Sequence, residues 1–364
     1  VAIVAAGLAV AGAVHAFPGT NGRLAYFYAN EIWVMNADGT GTRSLGAGLS
    51  PSWSPNGRRL VFDAVVDRNY DVWTMAGDGG ARRRVTTNAA PDYFATWSPN
   101  GEQIAFTSDR GGEDLFVIDA DGTNERRLTG DAGPEWGAAW SPDGGRIVFA
   151  GNARGNLEIE VVSVDGSGRV ALTDHRDRDY DPAWSPDGTR IAFTSERDGN
   201  ANVYVMNADG SGVTQLTDDP AGDFRPAWSP DGRTIAFEST RDPAVFDRDV
   251  YVMNADGSDE RRLRSGDVNA RDVDWQPTVD LQLRARRSGR FVVAQVTNRS
   301  PADARRVRLT FTFRRGVRVR QIGTIPAGSS RTARVASGRR TTVLASGWQV
   351  DPNPADNRAS VSRR

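Results

Sequence analysis

The chain is predicted to be all-β: a six-bladed β-propeller closed by a C-terminal strand, followed by a small β-sandwich. Three observations predict this. Trp53, Trp97, Trp140, Trp184, Trp228 and Trp275 recur every 43 to 47 residues. Ser-Pro-Asn/Asp-Gly begins at Ser54, Ser98, Ser141, Ser185 and Ser229. Asp-Gly pairs begin at Asp38, Asp78, Asp121, Asp165, Asp209 and Asp256. A period of about 40–45 residues built from short strands marks a propeller blade.

Val1 to Val14 is an unbroken run of apolar or small residues, followed by Val14-His15-Ala16. Small residues three back and one back from Phe17 suit a signal-peptide cleavage site. Residues 1–16 are therefore expected to be a signal peptide whose start is truncated. The mature protein is expected to be exported, without a transmembrane span, to the periplasm, the cell wall or the extracellular space.

Pro226 to Thr240 shows how one repeat folds. Ala227-Trp228-Ser229 is a short strand. Ser229-Pro230-Asp231-Gly232 is a turn, with proline presetting φ and glycine closing it. Thr234 to Phe237 alternates in the period-2 manner of a strand. Val250 to Met253 is a third strand, Asn254-Ala255-Asp256-Gly257 a hairpin turn, and Arg261 to Leu263 a fourth strand. Four strands make a blade. The first hairpin unit, Arg23 to Leu45, has no tryptophan strand before it. The last tryptophan strand, Asp272 to Gln276, has no hairpin after it. Each fragment completes the other, so a six-blade ring closes over residues 17–277, and closure removes exposed edges.

Pro182-Ala-Trp-Ser-Pro-Asp-Gly-Thr-Arg-Ile-Ala-Phe-Thr-Ser195 and Tyr204-Val-Met-Asn-Ala-Asp-Gly-Ser-Gly212 resemble the repeats of the TolB family of WD-like propellers. The resemblance spans about residues 22–277. It implies a bacterial envelope protein with a propeller; similar repeats also occur in oligopeptidase propellers.

Residues 278–364 lack the repeat. Val307, Leu309, Phe311 and Phe313 alternate with Arg308, Thr310 and Thr312, and Val317 and Val319 with Arg318 and Arg320. About seven such runs predict a sandwich. Gln295 to Val307 and Asp351 to Asn357 resemble bacterial immunoglobulin-like repeats of the cell-adhesion kind, which implies a stalk or spacer. From Val279 onward the chain holds 19 Arg against 4 Asp, a balance of +15, and the remainder carries −16. The basic segment suits an anionic cell-wall polymer or lipid headgroups. A solvated arginine face, or docking on the acidic propeller, would give the same composition.

Composition narrows the chemistry. There is no cysteine and no lysine, and the two histidines are His15 and His175. Thiolate metal sites, cysteine nucleophiles and histidine-cluster metal sites are excluded. No Gly-x-Ser-x-Gly elbow is present. His175, beside Asp174 and Asp177, reads as a loop residue. Asp119 to Asn124 has the look of a calcium-loop fragment, but equivalent turns recur in every repeat, so it reads as a hairpin. Gly39-Thr40-Gly41 reads likewise.

Four central repeats carry an acid and an aromatic before the tryptophan: Asp92-Tyr93, Glu135-Trp136, Asp179-Tyr180 and Asp223-Phe224. Leu49 and Arg271 interrupt the aromatic pattern. The pairs are expected in the connection leading into each inner strand, ringing one mouth of the channel. Such a ring suits a peptide, glycan or cation; the same residues could instead pack blades and cap turns. The sequence thus reads as a non-catalytic scaffold for an envelope protein or peptide, with no cofactor and no nucleic-acid partner. A glycan- or peptide-processing enzyme using propeller carboxylates is the alternative.

Overall fold

The computed structural model describes residues 20–130, 133–152, 155–241, 248–263, 270–278, 281–288, 291–298, 304–313, 316–327, 329–336, 340–346 and 358–362. The expected signal peptide lies outside them. The described residues form strands and turns, without a helix.

Six four-stranded antiparallel sheets are built between Thr20 and Thr278. The second comprises Leu49–Trp53, Arg59–Val66, Asn69–Ala76 and Arg83–Arg84. The third, fourth, fifth and sixth begin with Asp92–Trp97, Glu135–Trp140, Asp179–Trp184 and Asp223–Trp228 and repeat this order. The first sheet joins Thr20–Tyr28, Glu31–Met35 and Arg43–Ala47 to a distant strand, Arg271–Thr278. Leu24 stands opposite Trp275 in that pairing.

The turns form as their chemistry dictates. In each Ser-Pro-Asn/Asp-Gly turn the serine carbonyl accepts the glycine amide, at 2.8 Å for Ser229 and Gly232. The serine hydroxyl donates to Asp231 and accepts the Thr234 amide. At the hairpins, Gly257 donates to the Asn254 carbonyl at φ +87°, where a side chain would be strained.

Each apolar core lies between two sheets. Val61 and Val72 of the second, with Val85 just after its last strand, pack on Trp97, Ile104 and Phe106 of the third. The pattern repeats along the chain, and Ala227, Ala236 and Val252 of the sixth share a cluster with Leu24, Tyr26 and Trp275 of the first. Trp53, Trp97, Trp184 and Trp228 are fully buried. Arginines from the preceding sheet lie over their rings: Arg23 over Trp53, Arg59 over Trp97, Arg146 over Trp184 and Arg190 over Trp228, at 4.6 to 5.5 Å.

Seven strands follow. Leu281–Ser288, Phe291–Asn298 and Ser330–Ala336 form a three-stranded sheet; Ala304–Phe313, Gly316–Ile325, Arg340–Ser346 and Arg358–Ser362 form a four-stranded one. Leu281, Leu283, Val292 and Val296 of one and Val307, Leu309, Phe311 and Val343 of the other share a core. Val317 and Val319 are exposed on the edge strand of the second sheet, whereas Val307, Leu309 and Phe311 are buried in its interior.

Candidate functional site

The structure corrects the expected setting of the acid–aromatic pairs. They are not in the connection: Asp92, Glu135, Asp179 and Asp223 are the first residues of the strands themselves. The strand starts earlier because a bulge accommodates the extra residues. The register shifts between Tyr93 and Thr96, Trp136 and Ala139, Tyr180 and Ala183, and Phe224 and Ala227. The residue after each aromatic has positive φ: Phe94, Gly137, Asp181 and Arg225, between 53° and 67°. Ser50 and Asp272 hold the same conformation in the other two sheets. Bulges re-aim side chains next to functional sites.

The four acids are wholly buried. Asp92 lies 3.6 Å from Arg110, Asp179 2.9 Å from Arg197, and Asp223 2.6 Å from Arg241, each with the arginine eighteen residues on. These arginines also stack on ring pairs, as Arg197 does on Phe193 and Tyr204. The sequence signal for them is Ser-x-Arg at 108–110, 195–197 and 239–241. In the fourth sheet Gly151 stands where that arrangement would begin. There the longer Glu135 reaches Arg169, which also holds Glu160 at 2.5 Å. Burial raises Asp92, Glu135 and Asp223 above the usual carboxylate range, against the pull of hydroxyl and arginine partners.

The aromatics are brought together. Trp136, Tyr180 and Phe224 pack in one cluster with Ala150 and Leu157. Tyr180 is 4% exposed, whereas Tyr93, Trp136 and Phe224 are only half-buried. Tyr93 donates to Glu113 at 2.6 Å and Tyr180 to Glu196 at 3.1 Å. Arg248 lies 3.9 Å over Phe224. The result is an aromatic arc over four consecutive sheets, with a rim of paired charges.

Where the arc is interrupted, a cavity opens. Gly48 and Leu49 hold the places of acid and aromatic. A cavity of about 520 Å³ is lined there by Leu49, Ala64, Val65, Tyr70, Trp73 and Arg82, among others. Arg59–Val66 and Asn69–Ala76 have eight residues each, against six in the corresponding strands of the third to sixth sheets. This longer hairpin leaves Val65 and Tyr70 exposed beside the cavity.

Next to the arc, through Arg248, is a buried charge cluster that pattern reading missed. Arg225 Nη1 is 3.3 Å from Glu238 and 3.0 Å from Asp272, and its Nε is 3.8 Å from Asp181. Arg248 reaches Glu238 at 2.9 Å. Burial pushes Asp181 up to about 7, although Arg225 pulls the other way. Glu238 is held below its ordinary value by Arg225 and Arg248, which outweigh burial.

His175 lies on a loop, its Nδ1 accepting the Asp177 amide at 3.2 Å. Asp119 to Asn124 is a hairpin, with Gly122 donating to the Asp119 carbonyl at 2.7 Å. Among the described residues no group of three His, Cys, Asp or Glu is placed to hold a metal, and no helix is long and apolar enough to cross a membrane.

The model of the TolB β-propeller domain matches residues 31–178 and 114–313. The chain belongs to the TolB β-propeller family. TolB from Acinetobacter baumannii superposes on this family member with a TM-score of 0.64 at 22% identity, covering 71% of this chain and 67% of that one. A putative TolB from Agrobacterium tumefaciens gives 0.56 at 24% identity, covering 71% and 99%. At these identities the likeness is one of fold. Among curated proteins, the uncharacterized protein Atu1656 of Agrobacterium fabrum is 33% identical over 82 residues, 21% of this chain and 28% of its own length. The uncharacterized peptidase YuxL of Bacillus subtilis is 32% identical over 96 residues, 24% of this chain and 14% of its own. Dipeptidyl-peptidase 5 of Porphyromonas endodontalis is 26% identical over 83 residues, 22% and 12%. The matched stretches span less than a third of these relatives.

Proposed function

We propose that this TolB-like protein is an exported, non-catalytic scaffold that binds a protein or peptide partner in the cell envelope. In this reading residues 17–277 form six blades. The strand Arg271–Thr278 closes the ring, and residues 278–364 form an immunoglobulin-like sandwich that spaces or anchors it. The observation that carries the reading is the arc of half-exposed Tyr93, Trp136 and Phe224 beside buried Tyr180. Partly exposed aromatics on rigid strands supply contact area at small entropic cost. The acids beneath them are neutralised by arginine, so the arc presents rings and hydrogen-bonding groups rather than bare carboxylates. The test is capture from envelope extract on the whole protein and on the Trp136→Ala variant. A partner retained equally by both refutes the reading.

The second reading is a peptidase, favoured by the stretches shared with YuxL and dipeptidyl-peptidase 5. Turnover of a peptide and glycan panel by the purified chain would establish it and displace the first.

A further inference from the structure

The six N-terminal sheets and the two C-terminal ones handle arginine differently. In the former, guanidinium groups repeatedly meet carboxylates, as Arg84 meets Asp71 and Arg127 meets Asp114, both at 2.6 Å. The described residues of the latter contain no Asp or Glu at all. Strand register shows where their arginines fall. Arg286 stands opposite Val293 and Val293 opposite Arg334, so these three share one face; Arg284, opposite Gln295, lies on the same face. That face points away from the core formed by Leu281, Leu283, Val292 and Val296. Arg284, Arg286 and Arg334 are exposed, and Arg334 lies 3.7 Å over the Phe291 ring.

Strand geometry sets the spacings at about 7 Å from Arg284 to Arg286 and about 10 Å from Arg286 across to Arg334. Both are comparable to the screening length of about 8 Å at physiological salt, so the cations repel one another. An anionic chain laid over them removes that repulsion and releases its own counterions. Arg308 and Arg320, exposed on the four-stranded sheet, extend the charge beyond a single plane. A flat bilayer meets one plane; a flexible chain can follow several.

We propose that the outer face of the three-stranded sheet, through Arg284, Arg286 and Arg334, binds a linear anionic glycopolymer. This site is separate from the aromatic arc and does not depend on what the arc binds.

The test uses the full-length protein and immobilised alginate, a linear polyuronate, with dextran as the neutral control. Retention on alginate at about 20 mM salt and release by about 0.5 M is the expected result, because the screening length shortens about fivefold across that range. The combined variant R284S/R286S/R334S should bind about tenfold more weakly at low salt, the sum of three exposed charge contacts. Arg176→Ser, on the loop that carries His175, should leave binding unchanged. Equal retention on dextran, insensitivity to salt, or full binding by the combined variant overturns the proposal. Retention by phosphatidylglycerol vesicles but not by alginate overturns it in favour of a membrane surface.

Discussion

Arg225 Nη1 lies 3.0 Å from Asp272 Oδ1, so a cation on the sixth sheet is held by a carboxylate on the strand that completes the first. The two residues are equivalent positions of successive repeats, both in the left-handed region at φ 53° and 55°. Their bulges turn the side chains toward one another, and Glu238 ties both, accepting the Asp272 amide at 2.6 Å.

Removing the cation should be costly. Arg225→Ala leaves Asp181, Glu238 and Asp272 buried without their shared partner, and breaking a buried pair costs about 3–5 kcal/mol. Denaturant unfolding should show that loss, with Arg225→Ala plus Asp272→Asn less destabilised than the sum of the single changes. Strict additivity would mean that the two groups do not interact.

Ring closure is tested by where the chain stops. A protein ending at Gly266 lacks Arg271–Thr278 and exposes two edges; one ending at Val279 lacks only the C-terminal sheets. The first should melt well below the second. Equal melting temperatures would refute closure by this strand.

Stability should fall toward alkaline pH. Burial pushes Asp63 and Asp274 up to about 8 and Asp181 to about 7. Asp63 faces the Phe94 and Ala95 amides, Ser50 and Asp272; Asp274 faces Ser52 and the amides of Trp53 and Trp275. A raised carboxylate means the folded state holds protons that the unfolded chain releases. The contribution is complete below about pH 4 and is lost as pH rises through about 7–8. The turn aspartates Asp38, Asp121, Asp165, Asp209 and Asp256 are lowered by hydroxyl and amide donors. Their contribution runs oppositely, vanishing as pH falls below the ordinary carboxylate range. The melting temperature should therefore be higher at pH 5 than at pH 9, and Asp63→Asn with Asp274→Asn should flatten the difference. Greater stability at pH 9 would contradict the buried assignments.

Three of the arc aromatics should separate into two behaviours. Trp136→Ala and Phe224→Ala should weaken partner binding by about 1 kcal/mol or more, as interface anchors do. Tyr180→Ala should cost stability first, about 3–5 kcal/mol as for a large buried ring. Calorimetry and a binding titration on the same three variants distinguish the roles. Uniform loss of stability with unchanged affinity would make the arc packing alone.

Gly48 should resist substitution. It has φ +154°, and a Cβ there would lie 2.7 Å from both Ile32 and Phe62. Gly48→Ala should destabilise by about 1–3 kcal/mol through overpacking. A neutral effect would show that the cavity wall yields.

The sequence alone determined the strand pattern, the six hairpins and the turns, because each rests on residues adjacent in the chain, and the tryptophan period, because it is a repeat visible in the order of residues. Ser229 to Thr234 specifies its own turn. The charge asymmetry was equally legible, being simple composition. What only the tertiary structure decided involves residues brought together from separate repeats. That Asp92 is buried and paired depends on Arg110, eighteen residues on, and on the bulge that starts the strand at Asp92. That Glu135 replaces aspartate in the repeat where Gly151 takes the serine's place makes sense only once Arg169 is seen reaching both Glu135 and Glu160. The cluster around Arg225 joins residues 181 to 272 and has no local signature. Local rules set the backbone of each repeat; the electrostatics of the site arise between repeats, where burial and distance decide which charges are neutralised and which remain to bind.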